Sequence, residues 1–401
     1  MGSLSVPDTD RRHLLIAATI LAVGIAAIVA FAFAEGTTKD LNVYVLAGRR
    51  FGEGVSLYGV HFGQALDDPL PYTYPPVLAA ALSLVAWLPS ASITVGWTLL
   101  DLALLVWIVH VSYRRLFERL GPRWPVAAAA LVTILGLTAP ALSVFDLGQI
   151  GLVLLALVLA DTMPERTRAP RGVLVGAAAA IKLVPGVFIL YWSVTKRWRA
   201  AAIASGTAVA LWLVTAAVRP GISRTYWFNA AFQPERAGDP ATVVDQSMNG
   251  LLLRIGWTSP VVWAVAASIA LAIGLYRARR AHDAGDELAA VTIVGLATLL
   301  ASPVSWIHHA VWIVPASGVL LGDGSDRRRR VAWAAIVAVF VANVPLAVTE
   351  LSLPGPGSFI TDNAFVLIYW TLLLALPITF ERRRATSSEI RVVASRVTAR
   401  T

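Results

Sequence analysis

The sequence predicts an all-α polytopic membrane protein, on three observations: its composition, its membrane-length apolar runs, and the sorting of its charges between loops. Hydrophobic residues make up 57% of 401 positions and charged residues only 14%, with a mean hydropathy of +0.69. Soluble domains carry about 25% charged residues. Runs such as Leu14–Ala34 reach the ~20 residues that span a bilayer. They recur along the whole chain, so one membrane domain is expected over residues 1–380, with no separate soluble domain. A basic tail, 381–401, lacks apolar periodicity and is expected to lie disordered against anionic headgroups.

Cysteine is absent, which excludes disulfides, thiolate catalysis and cysteine metal sites. The net charge of +9 does not imply nucleic acid, because its placement follows membrane topology. Twenty-five of the 33 Lys and Arg fall in clusters at 11–12, 114–123, 166–171, 196–199, 277–280, 327–330 and 382–400. The positive-inside rule assigns these segments, and both termini, to the cytoplasm of a plasma membrane. The alternate segments, about 35–75, 139–150, 218–260, 302–309 and 345–362, hold seven cations and eleven acids. They belong outside. Only Lys182 stays unassigned, within an apolar run.

Taking the elements in order, the first apolar run is longer than a signal-peptide core and is expected to remain as an uncleaved helix. Residues 40–51 place Leu41, Val45, Gly48 and Phe51 on one helical face, as in a helix lying on the membrane surface. The stretch 76–113 reads as a short run, Pro76–Leu88, and a long one, Ile93–His110, broken at Pro89-Ser90. Residues 172–194 lie between two cytoplasmic clusters yet are one span long, with Pro185 in the middle. Both stretches read as broken or half-depth helices, which are tolerated only inside protein or beside a wet cavity and tend to lie near ligands. About ten full crossings result, or roughly 11–13 helices with the irregular ones.

The outer segments carry the polar residues suited to chemistry. Asp40 stands at the start of the surface helix, where helix-end amides favour a carboxylate; on local sequence it reads as a cap. Leu70-Pro71-Tyr72-Thr73-Tyr74-Pro75-Pro76 offers tyrosines that either anchor at the interface or line a sugar site. In Asp146-Leu147-Gly148-Gln149-Ile150-Gly151, Gln149 is a substrate contact or part of a tight turn. Lys182 is costly within a span unless paired or facing water, so a lipid phosphate is a natural partner. In Asp245-Gln246-Ser247-Met248-Asn249-Gly250, Asp245 or Ser247 can cap a short helix from Leu251 to Ile255, and Arg254 can form a bidentate contact with phosphate. Ser302-Pro303-Val304-Ser305-Trp306-Ile307-His308-His309 restarts a helix. Adjacent histidines point about 100° apart on a helix, so only one of His308 and His309 is expected to face a site. Neither neighbours nor spacing suggest zinc.

Six strings, Asp40-Leu41-Asn42-Val43-Tyr44, Leu70-Pro71-Tyr72-Thr73-Tyr74-Pro75-Pro76, Gly148-Gln149-Ile150, Ile181-Lys182-Leu183-Val184-Pro185, Asp245-Gln246-Ser247 and Ser302-Pro303-Val304-Ser305-Trp306-Ile307-His308-His309, in order over residues 38 to 315, resemble the polyprenyl-phosphate-mannose-dependent mannosyltransferases of actinobacteria, glycosyltransferase family 87. The chain departs from the family pattern at Gly151 and Ile307. The resemblance implies a GT-C-type fold with an outer-face active site and Asp40 as catalytic base. It implies an inverting α-1,2-mannosyltransferase that takes a polyprenyl-phosphate-mannose donor and a phosphatidylinositol mannoside, a glycolipid acceptor, with His309 or His308 as partner to the base or phosphate ligand. Lys182, Arg254, Tyr72, Gln149, Gln246 and Trp306 are then the candidate substrate contacts. No cofactor, metal or nucleic acid is expected, and membrane lipids are the surroundings. A lipomannan-branching mannosyltransferase or arabinofuranosyltransferase differs in substrate alone. A lipid or sugar transporter would also use broken helices and an intramembrane Lys, but such proteins commonly show repeated halves, and no internal repeat is visible.

Overall fold

Helices form nearly everywhere the apolar runs allow, and Pro and Gly decide where many of them stop. The computed structural model describes residues 8–33, 38–59, 61–62, 70–163, 170–349 and 356–379. The basic tail, Arg166, Arg168, Asp67 and Asp68 lie outside the described residues. α1 (Asp8–Ala32) leads to α2 (Lys39–Glu53), followed by a two-residue hairpin, β1 (His61–Phe62) against β2 (Leu70–Pro71). Next come α3 (Pro76–Ser83), α4 (Ser90–Ser112), α5 (Arg114–Leu120), α6 (Trp124–Gly136), α7 (Ala139–Leu147) and α8 (Gly151–Thr162). The middle holds α9 (Val173–Ile181), α10 (Val187–Val194), α11 (Trp198–Val218), α12 (Pro220–Phe228) and α13 (Met248–Arg254). The last part comprises α14 (Pro260–Asp283), α15 (Glu287–Ala301), α16 (Ile313–Leu321), α17 (Arg327–Val341), α18 (Val344–Thr349), α19 (Pro356–Asp362) and α20 (Ala364–Ala375).

Among the described residues, four unbroken helices are long and apolar enough to cross a membrane: Asp10–Ala32, Ser90–Ser112, Trp198–Val218 and Pro260–Asp283. Residues 114–136 and 139–147 pass jointly, bent by 71°. Five further apolar helices have 10–17 residues, so most expected crossings are shorter than a full span. The reason is local: Pro and Gly interrupt the apolar runs, and the freed backbone groups are satisfied inside the bundle. Large apolar side chains such as Trp87, Trp198, Leu213 and Phe228 are exposed on the outside, as expected where lipid is the solvent.

The two breaks expected from sequence are present. α3 and α4 are separated at residues 84–89, and Pro89 precedes α4. Between α9 and α10, Lys182 is extended (φ −142°, ψ 130°) and Val184–Gly186 form a 3-10 turn. α9 runs beside α11 because both faces are small: a Cβ at Gly172 or Gly176 would collide with the backbone of Ala200 or Ala204. Residue 172 therefore sits at the same end of the bundle as residue 200. The 172–197 segment enters, turns at Lys182–Gly186, and returns.

That shared end is where the basic segments gather. Glu287, the first residue of α15, accepts two bonds from Arg197 (2.6 and 3.0 Å), one from Tyr191 (2.7 Å) and meets His282 Nδ1 at 2.8 Å. Its neighbour Asp286 accepts from Arg115 (3.3 Å) and from the N–H of Thr379 (2.9 Å). Asp161, at the end of α8, caps α9 by accepting from the N–H groups of Gly172 and Val175. α15 then carries the chain the ~22 Å of its length to Ser302, where the polar strings converge.

Candidate active site at the polar end of the bundle

A cavity of about 940 Å³ opens at this end, lined by Lys39, Asp40, Asp146, Gln149, Lys182, Trp306, His308 and His309, among others. Five of the six strings, far apart in the sequence, thus meet in one chamber, with Val244 lining it beside the sixth, Asp245-Gln246-Ser247. α2 places Asp40 in its first turn. Thr38, not Asp40, occupies the N-cap position (φ 30°, ψ 40°), so the local expectation of a capping carboxylate is corrected. Asp40 stands two residues inside the helix and lines the cavity.

A hydrogen-bond chain fixes the residue that meets it. Gln149 Oε1 accepts from Tyr44 Oη (2.8 Å) and Tyr74 Oη (3.3 Å). Its amide nitrogen is left to donate, and Gln149 hydrogen-bonds Asp40. This register depends on Gly148, whose φ of 67° suits glycine. A Cβ there would lie 2.5 Å from Leu41 Cβ, so the glycine lets the α7–α8 turn press against α2. Burial lifts the Asp40 carboxyl to about 6, opposed by the Gln149 bond and the Lys182 charge and reinforced by Asp146.

The break between α9 and α10 delivers Lys182. Its Nζ lies 2.7 Å from His309 Nε2 and 5.2 Å from the centre of the Tyr74 ring. His309 Nδ1 accepts the N–H of Trp306 (3.1 Å), so the neutral ring carries its proton on Nε2. The expectation that only one histidine faces the site is overturned. The segment Ile307–Trp312 is a 3-10 turn, and the two rings, 4.5 Å apart and 83° to one another, both line the cavity. A second, apolar cavity of about 70 Å³ lies behind Lys182 and His309, with Leu155, Val158, Phe188 and Trp312 in its wall.

Three candidate contacts stand elsewhere. Arg254 donates to Asn363 Oδ1 (2.8 Å) and to the carbonyls of Thr242 (2.7 Å) and Asp245 (2.8 Å), which makes it a brace of the outer loop. Gln246 bonds the backbone of Val243, Asp362, Phe365 and Val366. Tyr72 is fully buried, donating to Pro75 O and accepting from Ala79 N. None of the three is among the described residues that line the large cavity. Tyr74, Asp146, Tyr226 and Arg236 do line it. The first two stand inside strings already marked out in the sequence; Arg236 and Tyr226 have no local pattern.

The wall carrying Trp306 is held by Asp245, which is wholly buried. Its Oδ1 accepts the N–H groups of Ser247 and Ser305, both at 2.8 Å, while Ser247 caps α13. Burial raises this carboxyl to about 6 against those bonds. Asp245→Ala strands two buried N–H groups, at about 1–3 kcal/mol each. The expected result is a clearly lower unfolding temperature in detergent, and an unchanged melt would contradict this bracing role.

Residues 72–303 match the model of glycosyltransferase family 87, a stretch containing Gln149, Lys182 and Asp245. A Mycobacterium tuberculosis protein, "Polyprenol-phosphate-mannose-dependent alpha-(1-2)-phosphatidylinositol mannoside mannosyltransferase", is 34% identical over 311 residues, 74% of this chain and 72% of its own. Its namesake from Mycolicibacterium smegmatis is 34% identical over 327 residues, 76% and 74% of the two chains. A further M. tuberculosis relative, named for a phosphatidylinositol pentamannoside, is 34% identical over 296 residues, 72% and 67% of the two chains. No solved structure matches the chain. With the membrane bundle and the charged cavity at its end, these likenesses place the chain in glycosyltransferase family 87, as a multi-pass membrane glycosyltransferase.

Proposed function

We propose that this enzyme moves mannose from a polyprenol-phosphate-mannose donor to a phosphatidylinositol mannoside acceptor, forming an α-1,2 linkage with inversion at the anomeric carbon. The substrates and linkage are those named for its relatives. One observation carries the reading: a carboxylate, Asp40, shares a single cavity with the Lys182–His309 pair.

The chemistry requires those two poles. Asp40 takes the proton from the acceptor hydroxyl as the oxygen attacks the anomeric carbon. The bond to the donor phosphate breaks on the opposite face. The Nε2–H of His309 and the Lys182 amine are bonded to one another at 2.7 Å. An entering phosphate takes the Nε2–H in place of the amine, which then carries its charge beside the leaving group, so stabilisation of charge replaces a general acid. His308 borders the same region, Gln149 orients Asp40, and Trp306 offers a flat face to a sugar. The cavity lies on the extracytoplasmic side of the plasma membrane and the termini in the cytoplasm. Supporting this sidedness, Arg115, Arg197 and their neighbours gather at the opposite end.

Purified enzyme in liposomes, given radiolabelled polyprenyl-phosphate-mannose and a phosphatidylinositol mannoside, should yield a labelled glycolipid sensitive to an α-1,2-mannosidase. No transfer from this donor, or a product resistant to that enzyme, would overturn the reading.

A further inference from the structure

We propose that Arg236, Tyr226 and Trp306 form a subsite for the acceptor's penultimate sugar, so that the enzyme reads a disaccharide end and not a single hexose. This rests on the acceptor proposed above. At about 940 Å³ the cavity stands near the top of the range for ligand pockets. Asp40 and the Lys182–His309 pair account for one reacting sugar and one phosphate. The wall bearing Arg236 and Tyr226 has no part in that step.

Arg236 sits in the 3-10 turn Pro234–Ala237. Its guanidinium makes one long bond, 3.3 Å, to the Tyr72 carbonyl, and its Nε is buried without a partner. A guanidinium carries five donors, and a buried donor without an acceptor is rare in native proteins. On a residue that lines a cavity, the oxygens of a ligand are the natural acceptors. Tyr226, buried in contact with Tyr58 (5.5 Å) and Trp227 (5.0 Å), adds a fixed aromatic lining to the same cavity. Trp306 is brought to the same loop by Gly238, whose φ is 100° and where a Cβ would lie 3.0 Å from the indole. Aromatic faces beside a forked donor suit the apolar face and paired hydroxyls of a pyranose. A phosphate would also satisfy a guanidinium, but Lys182 and His309 already serve the donor's phosphate, and a sugar is the neutral ligand that uses the aromatic faces too.

The test compares octyl α-mannoside with octyl α-dimannoside as acceptors in detergent. For the wild type, KM for the dimannoside should be at least about tenfold lower, equivalent to about 1.4 kcal/mol. In Arg236→Gln and in Tyr226→Leu, that ratio should fall towards one. Equal wild-type values, or a ratio that the variants leave intact, would overturn the subsite, the second pointing to a structural role through the Tyr72 carbonyl. A rise in donor KM that matches the rise in acceptor KM would reassign Arg236 to the donor phosphate and also overturn it. Failure of the wild type to use either mannoside, while other glycolipids accept the label, would instead remove the acceptor reading on which the subsite rests.

Discussion

Asp40→Asn should reduce kcat by about 10²–10⁴-fold, the usual contribution of a positioned general base. Asparagine keeps the shape and can still meet Gln149, but it cannot take a proton. The wild-type pH profile gives an independent check. With its carboxyl raised from 3.8 to about 6, Asp40 is protonated and inactive below that value, so kcat/KM should drop about tenfold per pH unit below pH 6. Above it the rate should level off. Stability moves the other way. A carboxyl that binds its proton more tightly when folded than when unfolded favours the native state at low pH, and this contribution is lost as pH rises from about 4 through about 6. At pH 7 the Asn variant should therefore melt no earlier than the wild type. Near-wild-type turnover in Asp40→Asn, measured with the radiolabelled donor, would refute the assignment.

Lys182→Met should have the second largest effect, a fall in kcat/KM of about 10²–10³-fold, comparable with removal of one donor to a developing anion. Methionine fills most of the same volume, so the α9–α10 turn retains its packing. What is lost is the charge beside His309. Both the donor KM and the chemical step should suffer, because the phosphate is bound in the ground state and gains charge as it leaves. Steady-state kinetics with varied donor at saturating acceptor measure this. A variant that changes acceptor KM alone would place Lys182 on the wrong substrate.

The elements were legible where the physics is local. Pro89, Pro185 and the spacing of cationic clusters announce the two broken stretches, and the face of Leu41, Val45, Gly48 and Phe51 announces α2. Lys182 stands out because a charge within an apolar run is costly, whereas Asp40, Gln149, Trp306 and the two histidines stand out as a set only through the resemblance to glycosyltransferase family 87. The same cue misled for Arg254 and Gln246. Both are polar groups beside an outer helix, but besides bonds to residues 242–245 they are held by partners at residues 362–366, and no local pattern discloses a hydrogen bond across more than 100 positions. Tyr72 and Tyr74 are two residues apart, yet one caps a helix entry while the other touches Gln149 and Lys182. Arg236 escaped notice because its neighbourhood is charged and polar, so nothing there is out of place until a cavity is seen beside it.

The re-entrant segment 172–197 has a consequence for how this site can vary. Because the chain enters and leaves at one end, its two arms set how far Lys182 reaches, much as the length of a stalk sets the height of its tip. Removing one residue from α9 would withdraw the amine by about 1.5 Å and turn it by about 100° around the helix axis, more than the 2.7 Å contact with His309 can absorb, while every crossing elsewhere kept its direction. Arm length can thus change the catalytic spacing without disturbing topology, a freedom that no full-length span possesses.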